Sequence, residues 1–253
     1  MHLTATGIEA IERATLQAVP PEVVEELPGW LLPMDHGTVG RARSAVPLHH
    51  GEPDLALLPT ILARYEARGF EAAFRLPEAP PFEAWQRELR ARGFLHQHPT
   101  LTQTCAIADL TLPVPAAGMA LDPAPDAAWM AMFLGEGLDP EDGACRSRML
   151  SRATDMRYAS VREDGLTLAC GAASFGQGWL GVHGMRTAAA QRGRGLAGAL
   201  LGAMAQEATH RGIGRVFLQV DASNSPALSL YRRLGFTTAW PYAYWRRAQP
   251  PKL

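Results

Sequence analysis

The sequence of 253 residues has few cysteines and almost no net charge, and each shortage excludes a class of protein. Cys105, Cys145 and Cys170 are far apart, so their spacing fits neither a disulfide framework nor a zinc site. We therefore expect reduced thiols in a cytoplasmic protein. A formal net charge of −1 argues against a nucleic-acid partner, because such surfaces are strongly basic.

Long apolar segments are also missing. No apolar run is long enough to span a bilayer, so we expect no membrane partner. Residues 1–12 lack the basic segment and apolar run that are typical of a secretory signal. Hydrophobic residues nevertheless make up 47% of the chain, which is enough for one large domain or two small ones, each with a buried core.

The most informative stretch is a glycine-rich turn. Gly193 and Gly195 are flanked by Arg192 and Arg194, between an expected strand at 179–187 and a helix with apolar residues spaced by four. Glycine lets the backbone approach an anion, and the first N–H groups of a helix attract negative charge. The turn therefore predicts a phosphate site. It lacks both the lysine of a P-loop and the three glycines of a dinucleotide motif.

Two motifs resemble those of the GNAT superfamily of N-acyltransferases. Their residues are Arg192-x-x-Gly195-x-Ala197, and Asn224-x-x-Ala227-x-x-Leu230-Tyr231 followed by Gly235-Phe236. The first resembles the family's acyl-CoA pyrophosphate loop. The second follows an expected strand, and Ser225 and Pro226 suit the cap and first turn of a helix. Because both occur in the family's order, the second half of the chain is identified as a GNAT domain.

The resemblance implies acyl transfer from acetyl-CoA to an amine, with no metal. It also implies that the backbone at the end of the central strand binds the pantetheine arm and polarises the thioester carbonyl. The residues expected to contact the donor are Met185, Arg186, Thr187, Arg192, Gly193, Arg194, Gly195, Leu196, Ala197, Asn224, Ala227 and Tyr231. For Met185 we expect only the backbone to act. Ala189 stands where the family commonly has proline, which is a small departure.

Tyr231 resembles the family's general acid, which protonates the departing thiolate. Ordinary pKa values make that transfer unfavourable by about 2 kcal/mol. The alternative role is that of a core tyrosine. The general base is open, because the central strand contains no acid. His183 is one candidate, since its ordinary pKa suits a base at neutral pH. A structural role for His183, or a water chain to Asp221 or to an acid of residues 135–143, remains an alternative.

Two sets of side chains could line the acceptor pocket. The first contains the acids Glu136, Asp139, Glu141 and Asp142, which would attract a cationic amine or form a solvated loop. The second contains the aromatic residues Trp240, Tyr242, Tyr244 and Trp245, which would wall the pocket or pack on the last strand. We expect a small-molecule amine as acceptor and a monomer or homodimer. Protein N-terminal or lysine acetylation and non-catalytic acyl-CoA sensing are the alternatives.

The first half of the chain resembles the second at a nearly constant offset. Arg68-Gly69 and Phe74 correspond to Arg211-Gly212 and Phe217 at 143 residues, and Gly93-Phe94 corresponds to Gly235-Phe236 at 142. Repeats at a fixed offset indicate duplicated structure. Opposite the arginine–glycine turn, residues 49–54 contain two acids and a proline, which disfavour phosphate.

We therefore predict an α+β fold of two GNAT-like domains, each a mixed, mostly antiparallel sheet with helices on both faces. Residues 1–112 form a degenerate copy that has lost CoA binding, and residues 118–253 form the catalytic domain. Residues 113–118 form a linker. Within the first copy, the pattern predicts a strand pair at 29–34 and 39–46 around a turn at 35–38.

Overall fold

The computed structural model describes residues 3–113, 116–135 and 138–247, which contain seven α-helices and eleven strands. The helices are α1 (Ala5–Ala18), α2 (Leu57–Ala67), α3 (Glu83–Ala91), α4 (Ala127–Ala131), α5 (Pro140–Arg152), α6 (Leu196–His210) and α7 (Ser225–Arg233). The strands are β1 (Val23–Leu27), β2 (Trp30–Met34), β3 (Val46–Pro47), β4 (Phe74–Pro77), β5 (Phe94–Ala106), β6 (Met119–Asp122), β7 (Met156–Glu163), β8 (Leu166–Gly176), β9 (Trp179–Thr187), β10 (Arg215–Asp221) and β11 (Thr237–Arg247). The α+β class is confirmed.

The strands form two sheets. A three-stranded antiparallel sheet has the order β1-β2-β3, and an eight-stranded sheet has the order β4-β11-β5-β10-β9-β8-β7-β6. In the larger sheet only β9 and β10 run parallel to each other. A parallel bridge between Ala45 and Phe74 joins the end of the small sheet to β4.

The strand order has an approximate twofold symmetry about the β5–β11 pair. β4 and β10 are equivalent under the offset, and each flanks this central pair on one side. The pairing between β5 and β11 follows the same symmetry. Thr104 pairs with Thr237, and their equivalents at an offset of 142 residues, Arg246 and Leu95, pair with each other. The last strand of each half therefore lies between the last two strands of the other half.

This exchange differs from the predicted pair of separate sheets. β4 and β5 come from the first half but lie in the same sheet as the strands of the second half. Antiparallel strands bond to whichever edge is available, so a strand can complete a sheet far from it in sequence. The division into 1–112 and 118–253 stays a prediction, and part of the expected linker, residues 114 and 115, lies outside the described residues.

Helices cover both faces of the large sheet. Ala169 and Ala173 of β8 pack in one cluster with Leu200 of α6, whereas Ala172 of β8 packs in another cluster with Trp129 of α4. Successive strand residues point to opposite faces, so α6 and α4 lie on opposite sides. In the described part of the chain, no helix is long and apolar enough to cross a membrane.

The predicted strand pair in the first half is wrong in part. β2 is correct, but it pairs with β1 as well as with the two-residue β3, and Gly40–Arg43 forms a 3₁₀ turn. Alternate residues of β1 are exposed, and it contains Glu25 and Glu26. Its acidic composition hides the strand signal.

Candidate active site

A cavity opens where two parallel strands separate. β9 and β10 pair only as far as Val182 and Leu218, and their following residues diverge. The gap holds a cavity of about 360 Å³, lined by residues of β9, β10, α5 and α7. Val19, Val39 and Arg41 of the first half also line it. The second half therefore supplies most of the site, and the first half supplies part of one wall.

A β-bulge shapes the end of β9 beside the cavity. His183 pairs with Ala172 and Arg186 pairs with Cys170. Two residues of β9, Gly184 and Met185, therefore stand opposite one residue of β8, Gly171. Gly184 has φ +59°, and a Cβ there would lie within 2.9 Å of buried Leu150 and Phe133 side chains. A bulge leaves backbone groups outside the ladder. The predicted role of the Met185 backbone in donor binding is therefore geometrically available.

The glycine-rich turn presents an open helix N-terminus. Gly193 and Gly195 have φ +81° and +77°, a conformation that glycine adopts readily. α6 begins at Leu196 without a side-chain cap, and a Cβ on either glycine would meet no atom within 4 Å. The first helical N–H groups lack intrahelical partners and attract anions. Arg192 is exposed beside them. This cradle fits a polyanion such as the pyrophosphate of CoA.

The other residues of the two motifs take clear structural positions. Arg194 is exposed and forms an ion pair with Glu163 at 3.3 Å. Asn224 caps α7, since its side-chain oxygen accepts a hydrogen bond from the Ala227 N–H at 3.2 Å. The expectation that Ser225 is the cap is wrong, because Ser225 is the first helical residue. Asn224 and Ala227 both line the cavity.

Tyr231 reaches the cavity from α7. Its side chain is only 7% exposed, and its ring packs edge-on against Phe236. Among the described residues, none forms a hydrogen bond with the hydroxyl. Burial raises the pKa of Tyr231 to about 12, so the phenol stays protonated at neutral pH.

His183 is buried between two partners. Arg41 approaches its Nδ1 at 3.4 Å, and Ser174 Oγ lies 2.9 Å from its Nε2. A guanidinium can only donate, so Nδ1 is the acceptor and Nε2 carries the proton that is donated to Ser174. Burial, with a smaller effect of the Arg41 charge, holds the pKa of His183 well below its ordinary value. The imidazole is therefore neutral, and neither nitrogen is free to accept a further proton.

The acidic loop does not line the cavity as a set. Of the acids in the described part of this loop, only Asp142 does so, and its side chain accepts hydrogen bonds from Thr38 at 2.7 Å and Arg146 at 2.5 Å. Burial alone would raise the pKa of Asp142, but the hydrogen bonds from Arg146 and Thr38 outweigh it and lower the pKa. Asp139 caps α5 instead. Glu136 lies outside the described residues.

Three arginines line the cavity: Arg41, Arg146 and Arg186. Arg186 was among the residues predicted to contact the donor, whereas sequence reasoning missed Arg41 and Arg146. Arg41 donates to the Gln219 side chain at 3.0 Å, and Arg186 lies over the ring of Phe133 at 5.3 Å. Arg41 comes from a 3₁₀ turn of the first half, so no local pattern connects it with β9.

The aromatic residues of the last strand pack in the core. Trp240, Tyr242 and Tyr244 belong to a cluster with Ile8 and Ile11 of α1. Trp245 belongs to the core of the first half. None of them lines the cavity. Their packing role, one of the two that the sequence allowed, is therefore the one observed.

The equivalent position in the first half is filled by side chains. Trp85 stands 142 residues before Ala227, is fully buried, and stacks on Trp30 with ring centroids 4.5 Å apart. Leu89 stands where the second half has Tyr231, and it is fully buried like Trp85. Large apolar side chains thus occupy the space that the second half leaves open. Among the described residues, no group of three or more His, Cys, Asp or Glu side chains is placed to hold a metal ion.

Comparison with known proteins gives a family and a fold. A family model described as "Probable histone acetyltransferase Rv0428c C-terminal" matches residues 5–245. Streptothricin acetyltransferase of Streptomyces lavendulae is 34% identical over 103 residues, which are 40% of this chain and 52% of that protein. The chain thus spans about half the length of this curated relative.

Two solved structures resemble almost the whole chain. A GCN5-related N-acetyltransferase from Kribbella flavida has a TM-score of 0.70 at 20% identity, with 96% of both chains covered. A tandem GNAT protein from the clavulanic acid biosynthesis pathway has a TM-score of 0.60 at 14% identity, with 99% of this chain and 98% of that chain covered. At these identities they establish the fold alone. Because the family match covers nearly every described residue, the chain belongs to the Rv0428c C-terminal family, and it has a tandem GNAT fold.

Proposed function

We propose that the protein is an N-acetyltransferase that transfers the acetyl group of acetyl-CoA to the primary amine of a small molecule. The observation that carries this proposal is the cavity between the diverging strands β9 and β10. Tyr231 lines the cavity, and β9 leads from it to the open N-terminus of α6. The second GNAT motif therefore lines the cavity, and the first follows the strand that lines it. Leu196 of the first motif and Tyr231 of the second pack in one hydrophobic cluster. This proximity suits a two-substrate transfer.

The donor is held by backbone groups. Backbone N–H groups of residues 193–197 bind the pyrophosphate, and exposed Arg192 adds positive charge. The bulged backbone at Met185–Thr187 receives the pantetheine arm, with Asn224 and Ala227 on the opposite wall. The thioester of acetyl-CoA supplies the activated acyl group, which passes by direct attack to the amine while the CoA thiol is released. The protein supplies position and proton transfer.

Tyr231 is the proton donor in this proposal. Its hydroxyl is protonated, faces the cavity, and has no protein partner among the described residues that would need to be displaced. A buried phenol with a raised pKa is a weak acid, but a thiolate formed in the same buried space also has a raised pKa. The two shifts partly cancel, so the transfer becomes less unfavourable than the separate values indicate.

In this proposal His183 holds Arg41 in place. The role of His183 as the general base stays a prediction, and its occupied nitrogens weigh against it. The half-buried guanidinium groups of Arg41 and Arg186 favour the neutral form of a nearby amine, because like charges lower the pKa of an ammonium group. The proton then leaves through water, for which Asp221 at the cavity edge is an acceptor.

The size of the cavity favours a small acceptor. A volume of about 360 Å³ lies near the lower end for small-molecule sites. The loop that carries Val39 and Arg41 is fixed to α5, because Thr38 bonds to Asp142. This wall restricts access for a folded protein. The relative named for streptothricin acetylation fits the same class of acceptor.

Turnover with a panel of acceptors tests the proposal. The full chain is incubated with acetyl-CoA and either small primary amines or a lysine-containing histone peptide, and products are identified by mass spectrometry. We expect acetylated small amines. Acetylation of the peptide alone would favour the protein acceptor, which the family description also names. Acetyl-CoA binding without transfer to any acceptor would favour the sensor.

A further inference from the structure

The cavity contains more positive charge than its own acids neutralise. Three guanidinium groups line it, but only Arg146 has a carboxylate partner, Asp142, at 2.5 Å. Asp221 is exposed and bonds to the Ser223 hydroxyl and N–H. Arg41 and Arg186 therefore face the cavity as two cations without an ion pair among the described residues.

Arg186 is held in place without having its hydrogen-bonding capacity used. Its guanidinium lies over the Phe133 ring at 5.3 Å, which helps to hold the side chain in place. Its Nε is closed off from solvent and has no hydrogen-bond partner among the described residues. The two Nη atoms are not closed off in this way, and no hydrogen bond to a described residue uses them. A ligand in the cavity could therefore accept hydrogen bonds from these Nη atoms.

Arg41 lines the same cavity and is positioned by two contacts. Its Nη1 donates to Gln219 at 3.0 Å and lies 3.4 Å from His183 Nδ1. No hydrogen bond to a described residue uses its other nitrogens. The His183–Ser174 pair fixes the imidazole, and the imidazole in turn fixes Arg41. A buried histidine that the proposed chemistry does not need thus acquires a positioning role.

We propose that the acceptor amine carries an anionic group, a carboxylate or a phosphate, and that Arg186 and Arg41 bind it. This inference rests on the proposed function and names the substrate class of that site. Guanidinium groups bind both anions through paired, charge-assisted hydrogen bonds. In the acidic loop, by contrast, Asp139 caps α5 and Asp142 is paired with Arg146.

Binding of product-like probes to the full chain, with CoA present, tests this assignment. The carboxylate probe is N-acetylglycine and its neutral partner is N-acetylglycinamide. The phosphate probe is N-acetylglucosamine 6-phosphate and its neutral partner is N-acetylglucosamine. Ligand-observed NMR gives each dissociation constant for the parent protein and for Arg186→Gln, Arg41→Gln and Arg215→Gln. Arg215→Gln is the matched control, because Arg215 also lies over an aromatic ring, Trp179, but does not line the cavity.

We expect one anionic probe to bind at least about tenfold more tightly than its neutral partner, the effect of one charge-assisted hydrogen bond. That preference should disappear in Arg186→Gln, weaken in Arg41→Gln and persist in Arg215→Gln. A preference within the N-acetylglycine pair would identify a carboxylate, and a preference within the N-acetylglucosamine pair would identify a phosphate. Equal or absent binding within both pairs, or a preference that neither cavity variant changes, would overturn the inference.

Titration of acetyl-CoA into the same variants separates this inference from the proposed function. We expect unchanged donor affinity in Arg41→Gln and Arg215→Gln, because neither residue is assigned to the donor. Loss of donor binding in Arg186→Gln and Arg41→Gln but not in Arg215→Gln would assign both cations to the donor, and would refute an acceptor role. Failure of the parent protein itself to bind acetyl-CoA would instead refute the proposed function.

Discussion

Replacing Tyr231 with phenylalanine removes one oxygen atom from the cavity and tests the assigned proton donor. The hydroxyl has no hydrogen-bond partner among the described residues, so its removal leaves no orphaned protein group. The ring contact with Phe236 is retained. We therefore expect the free energy of unfolding to change by no more than about 0.5 kcal/mol, as for a substitution that breaks no packing or hydrogen bond.

The expected loss of turnover is much larger. A positioned proton donor contributes about 10²–10⁴ in rate, which corresponds to about 3–5.5 kcal/mol of barrier. Because burial raises the pKa of Tyr231 to about 12, the parent enzyme should show no alkaline decline from this group below pH ~10. Release of the CoA thiol measures kcat against a fixed amine, and calorimetry measures the affinity for acetyl-CoA.

Tyr65→Phe is the matched control for this substitution. The Tyr65 hydroxyl is buried and donates to the Pro33 carbonyl at 2.8 Å, far from the motifs of the second half. Its removal should lower stability by about 1 kcal/mol and leave kcat unchanged. If Tyr231→Phe retained kcat within threefold of the parent enzyme, with unaltered donor affinity, Tyr231 would have no role as the proton donor.

Three further predictions concern the framework of the site. Glu12→Gln breaks the buried ion pair with Arg75, both being 1% exposed, and should lower the free energy of unfolding in urea by about 3–5 kcal/mol; a loss below 1 kcal/mol would contradict this. Burial, with the charge of Arg75, lowers the pKa of His50 to about 4, so the unfolded chain takes up a proton below pH ~6.5 that the folded chain takes up only near pH 4. His50 alone should therefore lower stability by about 1–2 kcal/mol from pH 7 to pH 5, and the total fall should be smaller by that amount in His50→Asn; an identical pH dependence would count against it. Gly184→Ala combines a positive φ with steric overlap, whereas Gly165→Ala has a positive φ in open space. Thermal melts should show Gly184→Ala to be more destabilising by about 1–3 kcal/mol, and equal losses would rule out the overlap.

The local part of the fold could be predicted from the sequence. The bounds of β9 agree with the sequence analysis residue for residue, and the helix after the glycine-rich turn and the helix within the second motif occur where expected. Glycine, proline and apolar spacing act over a few residues, so a single sequence contains enough information. The constant offset also predicted the duplicated element order.

The exchange of strands could not be predicted in this way. β5 pairs with β10 on one edge and with β11 on the other. The alternation of polar and apolar side chains along β5 does not indicate which strands it pairs with. Only the folded arrangement shows that neither half completes its sheet alone. The same holds for Arg41, which reaches the cavity because the first half packs against α5 and β9, not because of any local motif.

The sequence predicted which motif residues lie at the site better than it predicted how the charged side chains there are paired. The glycine-rich turn, Asn224 and Tyr231 lie where their motifs placed them relative to their helices, and their chemical roles stay proposals. Attraction of a cationic amine was one of the two roles considered for the acidic loop. Among its described acids, Asp142 alone lines the cavity, together with three arginines. Capping and ion pairing engage the acids Asp139 and Asp142, whereas Arg186 is left without a carboxylate. Such pairings depend on tertiary neighbours that a sequence pattern does not specify.

Calorimetric titration of acetyl-CoA tests the central claim most directly, with Gly195→Glu and Gly212→Glu as a matched pair. Both glycines flank α6, have φ near +75° and would place a Cβ in open space, so both substitutions carry the same backbone strain. Only Gly195 lies at the N-terminus, where a carboxylate would repel phosphate. The account predicts one site per chain in the parent protein and in Gly212→Glu, and loss of binding in Gly195→Glu. Retention of full affinity in Gly195→Glu would contradict it.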